Sequence, residues 1–402
     1  MGFDVDKLDE VWFEEFWRPL SIIHSPFTDS IDQLVELIRF EIIQRAEEGY
    51  EVDDAREHFR KIVGERSLGK LLEFYNSLED YPLRKGYPYR EPIDYSGIVS
   101  ESSGGEAIPA VELSDEELYR RIYGGWLGRC IGCMLGKPVE GFTHNMVMVW
   151  LTLSGEGGLS DYFPSILPSS LSSAPKWLLK RLSDLNRLYA EKGYGVLRGQ
   201  IDRVVRDDDI DYTILNLHIA TNHGPGFTTM DIANAWLSML PYCQVYTAER
   251  MAYRNLVNGI IPPRSATYMN PFREWIGAQI RADLWGYISP GLPRVAAEYA
   301  YRDASLSHVK NGVYGEMFIS AMISAAFSTD NIYDVVRIGL SVIPQRSRLA
   351  EAVRDVISWS RGSENYWETF KRIVDKYGHY HPIHTIVNAA IVCLLYTSDA
   401  AD

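Results

Sequence analysis

The first long stretch of the chain has the hydrophobic spacing of amphipathic helices. From about Val11 to Val63, apolar residues recur three and four positions apart, and charged residues fall between them. Residues at this spacing share one face of a helix, so the pattern predicts helices that pack through one side. The clearest apolar stripe contains Ile31, Leu34, Val35, Leu37, Ile38, Ile42 and Ile43.

A change in residue composition separates this stretch from the rest of the chain. Between Tyr75 and Pro109 the hydrophobic residues follow no helical or strand spacing, because prolines, tyrosines and a Ser-Ser-Gly-Gly run interrupt it. This pattern is typical of a linker or of an extended segment on the protein surface. Ser114 and Glu117 then form the capping-box pattern of a new helix. We therefore predict an N-terminal helical extension and linker over residues 1–110, followed by a second domain from residue 111.

The second domain also has mainly helical patterns. Residues from Phe142 to Ser173 are rich in Gly, Ser and Pro and indicate loop with short helices, whereas long helical patterns resume after Ala174. Strand-like alternation is scarce throughout. We predict an all-α fold.

Four glycines on the predicted helix after Ser114 fall on one stripe, namely Gly124, Gly128, Gly132 and Gly136. Each glycine in a helix costs about 0.5–1 kcal/mol relative to alanine. Such a stripe indicates that something approaches the helix closely. Tight packing of another helix and contact with a ligand are both open explanations.

Composition and charge argue against several kinds of partner. The chain is 46% hydrophobic and 23% charged, as in a globular protein with a real core. Its formal net charge of -14 disfavours nucleic acid or an anionic membrane surface as the main partner. The first residues lack a basic segment followed by an apolar run, and no apolar stretch is long enough to span a membrane. We therefore expect a cytoplasmic location.

Two groups of potential zinc ligands are interpreted as structural. Cys130 and Cys133 form a lone C-x-x-C without a second pair, which favours small core thiols. His379, His381 and His384 cluster near the end of the chain, but no cysteine or acid nearby completes a site.

The run Arg206-Asp207-Asp208-Asp209-Ile210-Asp211 is the most informative segment for chemistry. Its four carboxylates lie among apolar residues at a predicted helix start, where the helix dipole favours negative charge. The dipole alone is too weak to hold so many acids near a core, whereas a divalent cation would offset their repulsion. Ligands that are all oxygen select Mg²⁺, Mn²⁺ or Ca²⁺ rather than zinc. The alternative is an N-cap aspartate with solvated neighbours.

Three separated segments together resemble the ADP-ribosylglycohydrolase family. The first is a glycine-studded stretch from Arg121 to Gly136 that continues as Lys137-Pro138-Val139-Glu140, and the second is the aspartate run. The third extends from Gly277-Ala278-Gln279-Ile280-Arg281 to Ser307-His308, and is similar to the family's small-residue ligand loop and its later Ser/Thr-His motif. These segments occur in the family's order and cover most of Leu118 to Val392.

The resemblance implies a compact all-α domain that binds two Mg²⁺ ions, with Mn²⁺ as an alternative, in a central cleft where the three segments meet. It also implies an ADP-ribose-containing substrate, whose bond at ribose C1″ is hydrolysed. The reaction is glycoside chemistry, in which nearby carboxylates stabilise charge on the anomeric carbon and a metal activates water.

Roles follow from the resemblance residue by residue. Asp207, Asp208 and Asp209 would be metal ligands, and Asp208 and Asp209 would also take part in catalysis with Glu140, as ligand, gate or acid/base. Gly277 and Gln279 would offer groups to the phosphates or ribose, and His308 would contact the ligand. From the residues alone, Glu140 could equally be an exposed loop glutamate, and His308 a core or capping histidine.

The chain departs from the family pattern in two places. Ile210 stands where the family often has Thr, and the late Gly-Asp-Thr-Asp-type motif is missing. Residues 393–402 look like translated sequencing-adapter read-through, so we expect a non-native tail after an incomplete domain over residues 111–392. Such a fragment is expected to expose apolar surface and to lack hydrolase activity.

Two further functions remain open at this point. One is a catalytically silent structural or binding protein of the same fold, since a fold can persist without its chemistry. The other, which the sequence favours less, is a metal-dependent hydrolase of phosphate esters. A late aspartate motif in the native gene would favour the ADP-ribosyl hydrolase, and its absence would favour the silent protein.

Overall fold

A computed structural model describes residues 30–104, 108, 111–172, 174–176, 179, 195–362 and 365–397, together with Phe16 and Arg18. Regular structure in these ranges is helical, which confirms the predicted all-α fold. The β-bridges found there are isolated pairs, Tyr50 with Leu83 and Trp275 with His384. The part of the predicted first stretch that precedes residue 30 lies almost entirely outside the described residues.

The α-helices are numbered here in chain order. They are α1 (Ile31–Glu47), α2 (Asp53–Val63), α3 (Leu68–Ser77), α4 (Tyr95–Glu101), α5 (Asp115–Gly136), α6 (His144–Leu153), α7 (Pro168–Leu171), α8 (Asp208–His223), α9 (Thr229–Met239), α10 (Thr247–Val257), α11 (Asp283–Tyr287), α12 (Pro293–Ala304), α13 (Asn311–Ala325), α14 (Ile332–Ser341), α15 (Arg348–Gly362), α16 (Tyr366–Tyr377) and α17 (Thr385–Thr397). Short 3₁₀ helices at Lys137–Val139 and Gln279–Arg281 carry or adjoin predicted site residues.

Contacts within the chain divide it into two compact units. The first contains Met1–Pro19 and Leu113–Asp211, and the second contains Leu20–Glu112 and Tyr212–Asp402. Helices α5–α7 and the first turn of α8 therefore belong to the first unit. The domain limits predicted at residues 110 and 392 stay predictions.

The first unit begins with the capped helix α5. Ser114 Oγ accepts a hydrogen bond from the Glu117 backbone N–H at 3.2 Å, which is the N-cap half of the predicted capping box. The Glu117 carboxylate accepts bonds from Arg120 and Arg121. A small apolar core lies further along this unit, around Met134, Met146, Trp150 and Phe163. Met134 therefore anchors the end of α5, just before Lys137.

The predicted glycine stripe lies along one face of α5. A Cβ built at Gly124, Gly128, Gly132 or Gly136 would have no neighbour within 4 Å in the described part of the chain. Among the described residues, no other helix packs closely against these glycines. Contact with a ligand stays a prediction.

The core of the second unit is built largely from α12 to α17. Helix α13 is buried along almost its whole length, and its apolar side chains pack with those of α14, α15 and α17. Helix α17 confirms the helical start predicted near Ile383 and runs to Thr397, with Cys393 and Leu394 fully buried. No helix in the described ranges combines the length and hydropathy needed to cross a membrane.

Helix α1 packs on two sides within the second unit. Leu34, Ile38 and Ile42 contact α2 and α3, whereas Leu37 and Phe40 contact residues of the 272–275 segment. Ile43 was predicted to join the apolar stripe, but it is 37% exposed. The reason is geometric, because Ile43 shares a helix face with Glu36 and Arg39.

Candidate metal centre and ligand-binding segments

Three consecutive aspartates stand at the start of α8 in the first unit. The Asp207 backbone carbonyl accepts the Asp211 N–H at 2.9 Å, and the Asp207 side chain accepts the Asp209 N–H at 3.3 Å, so Asp207 caps the helix. One carboxylate oxygen from each of Asp207, Asp208 and Asp209 lies within 4.8 Å of the other two. The run is therefore an N-cap and a carboxylate cluster at once.

The aspartates repel one another in a partly desolvated setting. Burial, followed by the charges of Asp209 and Asp207, raises the pKa of Asp208 well above its usual value. Burial also raises the pKa of Asp209 to about 7, against the opposing effect of Arg129. Burial would raise the pKa of Asp207 as well, but the Lys137 ammonium outweighs it and the pKa is lowered. Asp208 and Asp209 thus resist ionisation beside a charged Asp207, and a bound cation would relieve the repulsion among the three.

Cationic side chains from α5 and its end contact two of these aspartates. Lys137 forms a hydrogen-bonded ion pair with Asp207, and Arg129 Nη1 donates to Asp209 Oδ1 at 3.1 Å. Arg206 Nε donates to Asp211 at 2.6 Å, which draws this fourth aspartate into a separate pair.

Glu140 lies next to the cluster. It follows the 3₁₀ helix Lys137–Val139, its side chain is exposed, and its charge raises the pKa of both Asp208 and Asp209. The formal charge of the site is -2, because four carboxylates face two cations. The carboxylates are Glu140 and the three aspartates, and the cations are Lys137 and Arg129. A divalent cation would balance that charge, so the residues present fit such an ion.

Gly277 lies in the second unit, directly against a buried acid. A Cβ at this position would come within 1.9 Å of Glu249 Oε1. Glu249 is itself 3% exposed and bonded to Arg281 Nη1 at 3.0 Å, so it cannot easily move away. A larger residue here would have to displace this acid or shift the backbone.

Gln279 and Arg281 lie on the 3₁₀ helix that follows. Gln279 is 5% exposed, and its Oε1 has no hydrogen-bond partner in the described structure. Arg281 is fully buried, and its Nε lies 3.1 Å from Asp303 Oδ1, while its Nη2 lies 3.6 Å from Glu316 Oε2. One cation therefore holds three acids inside this unit.

His308 is joined to the same network. Its Nδ1 lies 2.8 Å from Ser307 Oγ, and that hydroxyl accepts from Arg281 Nη1 at 3.1 Å. Burial, followed by the positive charge of Arg281, lowers the pKa of His308 well below its usual value. The imidazole is therefore neutral near pH 7. His308 thus joins the buried hydrogen-bonded system of Arg281 and Glu249, and Gly277 lies against Glu249 in that system.

We expect Glu249 to make the stability of the protein depend on pH. Burial raises its pKa from 4.5 to about 7, despite Arg281. The folded protein then keeps a proton that the unfolded chain loses, so stability should fall as pH rises from about 4.5 to 7, by up to about 3 kcal/mol. Urea unfolding at both ends of this range measures the change. Glu249→Gln cannot ionise there and should lose less stability than the parent, whereas equal losses would contradict the assignment.

Several of these residues escaped the sequence analysis. Lys137 and Arg129 lie on the glycine-studded segment, but nothing in their spacing indicates that they pair with aspartates of another segment. Glu316 gave a usable signal, because it is an isolated acid within the apolar run of α13. His384 is fully buried against the Tyr380 ring, and the structural interpretation of the three histidines stays a prediction.

The described structure is all-α, and a carboxylate cluster that could hold a metal ion stands at the start of α8. The ADP-ribosylglycohydrolase family profile matches residues 114–402, which is most of the chain, and the chain belongs to this family. The family is hydrolytic, depends on metal and acts on ADP-ribosylated substrates. Comparisons with curated proteins and with solved structures return no match.

Proposed function

We propose that this protein hydrolyses the bond at ribose C1″ of an ADP-ribosylated substrate, with Mg²⁺ as its metal. The observation that carries the proposal is the Asp207–Asp209 cluster, whose carboxylate oxygens converge within 4.8 Å. Membership of the ADP-ribosylglycohydrolase family supplies the reaction class. The cluster supplies the chemistry that such a reaction needs, because its charge and oxygen ligands suit a hard divalent cation.

Asp207, Asp208 and Asp209 would hold the metal. We propose two Mg²⁺ ions, with Mn²⁺ as an alternative, since both take oxygen ligands. A bound ion of this kind lowers the pKa of its water and orients it for attack. To admit the ion, Lys137 and Arg129 would release Asp207 and Asp209 or share them with it.

The acids would also act on the sugar. In glycoside hydrolysis positive charge develops on the anomeric carbon, and carboxylates close to it stabilise that charge. Asp208 and Asp209 are proposed for this role. Glu140 is exposed and close enough to affect the pKa of both, so it is proposed as the acid/base that exchanges protons with the water or the leaving group.

Gly277, Gln279 and His308 are proposed to contact ADP-ribose. The support comes from the second unit itself. A buried amide oxygen without a partner costs stability, so Gln279 Oε1 suits a ligand hydroxyl that would satisfy it. His308 is neutral and can accept or donate a hydrogen bond without placing a charge beside the phosphates.

The metal assignment is tested by titrating the chain with Mg²⁺ in a calorimeter. Asp208→Asn should weaken Mg²⁺ binding by about tenfold or more, because it removes a ligand charge. Asp53→Asn is the matched control, since Asp53 is also an aspartate in the first turn of a helix but has an 82% exposed side chain. Identical titrations for the parent and Asp208→Asn would refute the assignment.

The reaction is tested on the protein translated from the complete native gene, with substrates that differ at C1″. On that carbon they carry a guanidinium nitrogen, the ether-type oxygen of a serine side chain or the oxygen of a carboxylic ester, and release of ADP-ribose is measured with and without Mg²⁺. Metal-dependent release from any of them supports the proposal, and the preferred substrate identifies the group removed. ADP-ribose binding without release from any substrate would instead support a catalytically silent binding protein. The observation that favours this second candidate is the pairing of Asp207 and Asp209 with Lys137 and Arg129.

A further inference from the structure

Residues 31–48 lie outside the part of the chain that the family profile matches. They nevertheless contribute polar side chains to the interior of the second unit. Glu41, Gln44 and Glu48 follow one face of α1 and its C-terminal end, and none is more than 4% exposed. Acids are rarely buried unless they are paired, so their partners are informative.

Glu48 pairs with two cations from distant parts of the sequence. Arg273 Nε donates to Glu48 Oε1 at 2.7 Å, and Lys310 Nζ donates to Glu48 Oε2 at 2.8 Å. Arg273 Nη1 also donates to Glu41 Oε2 at 2.7 Å. Gln44 Nε2 bridges Glu48 and Glu274 at 2.9 and 2.7 Å. The end of α1 thus holds the 273–274 segment and Lys310 together.

The 273–274 segment and Lys310 lie close in sequence to the residues that are proposed to contact ADP-ribose. Gly277 follows Glu274 by three residues, and His308 precedes Lys310 by two. The segments also touch directly, because the Val309 N–H donates to the Arg273 carbonyl at 3.0 Å. A Cβ on Gly312 would come within 2.6 Å of that carbonyl and 2.9 Å of the His308 ring. Little room remains for one segment to move without the other.

Two further observations link α1 to these segments. Lys310 has a φ of 47°, a left-handed conformation that a lysine keeps only when its surroundings impose it. Its ion pair with Glu48 is such a constraint. On the same helix, the Phe40 ring packs against Phe272 and Trp275 at centroid distances of 5.4 and 6.2 Å. Apolar contacts and ion pairs therefore act on the same segment.

We propose that α1 positions the ligand-binding segments of the domain, with Glu48 as the positioning residue. Through Arg273 and Lys310 it holds Gly277 and His308 in the arrangement that receives ADP-ribose. This inference rests on the proposed function, because ADP-ribose is the ligand that these segments are proposed to contact. Glu48 itself need not touch the ligand.

The test compares Glu48→Gln with Asp32→Asn in the full chain. Both substitutions change an acid to an amide at α1, but Asp32 pairs with Arg66 on the surface, where both side chains are at least 60% exposed. For Glu48→Gln we expect ADP-ribose affinity to fall about tenfold by calorimetry. Hydrogen exchange should also become faster in peptides that cover residues 273–281 and 307–312. Asp32→Asn should change neither quantity.

A second variant covers the case in which Glu48→Gln does not fold. Lys310→Met roughly keeps the length of the side chain and removes its charge, while Glu48 stays paired with Arg273. We therefore expect a smaller loss of ADP-ribose affinity and a smaller increase in hydrogen exchange than for Glu48→Gln. A folded variant that melts earlier but keeps parental affinity and parental exchange in these peptides would overturn the inference. If the parent chain binds no ADP-ribose, the proposed function fails, and the exchange measurement alone decides whether Glu48 positions these segments.

Discussion

Replacing Arg281 with methionine should destabilise the protein by about 3–5 kcal/mol, because it leaves buried acids without their cation. Arg281 is fully buried, with Glu249 Oε1 at 3.0 Å and Asp303 Oδ1 at 3.1 Å from its guanidinium nitrogens. Methionine fills a similar volume, so lost charge rather than a cavity dominates the effect. Urea unfolding followed by circular dichroism measures the free energy of unfolding.

Two comparisons make this result specific to the buried charge. Arg337→Met removes an exposed arginine that pairs with Asp334 at 2.9 Å, and should change stability by no more than about 0.5 kcal/mol. Adding Asp303→Asn to Arg281→Met should restore part of the loss, since one unpaired acid disappears. A loss below about 1 kcal/mol for Arg281→Met would show that the acids do not depend on this cation.

Gly277→Ala is expected to have the second large effect. Its Cβ would lie 1.9 Å from Glu249 Oε1, and Glu249 is held by Arg281, so either the acid or the backbone must shift. We expect a loss of about 2–3 kcal/mol from overpacking. ADP-ribose affinity should fall with it, because the displaced segment also carries Gln279.

The matched control for this glycine is Gly69→Ala on α3. A Cβ at Gly69 meets nothing within 4 Å, so alanine should be neutral or stabilise the helix by up to about 1 kcal/mol. Thermal melting measures the stability of both alanine variants, and calorimetry measures their affinity for ADP-ribose. Equal behaviour of the two alanine variants would mean that Glu249 yields to the new methyl group at little cost.

The helical fold could be predicted from the sequence because its evidence is local. The apolar spacing of residues 31–42 and the cap at Ser114 depend on neighbours a few positions away, and both were confirmed. Ile43 was assigned to the wrong face of α1. The apolar residues of this helix form two packing faces, one toward α2 and α3 and one toward the 272–275 segment. The helical period alone does not distinguish these two faces from one broad stripe.

The candidate site was only partly predictable for the opposite reason. The aspartate run is contiguous and was predicted at a helix start, and its carboxylate oxygens do converge there within 4.8 Å. The pairing of Asp207 with Lys137 spans 70 positions, and that of Arg281 with Glu249 spans 32. Pairings over such separations are set by tertiary packing, which no local pattern encodes. A buried acid within an apolar helix, as with Glu316, was the one sequence signal of an interior ion network.

The ion pairs of α1 have a consequence for synthesis on the ribosome. Arg273 is made 232 residues after Glu41 and 225 after Glu48. At translation rates of about 5–20 residues per second, this interval lasts roughly 10–50 s. Throughout it, the acids of α1 stay hydrated, and Leu37 and Phe40 lack the Phe272 and Trp275 surface that later covers them. The ion pairs of Glu48 can therefore close completely only after Lys310, its second cation, has left the exit tunnel.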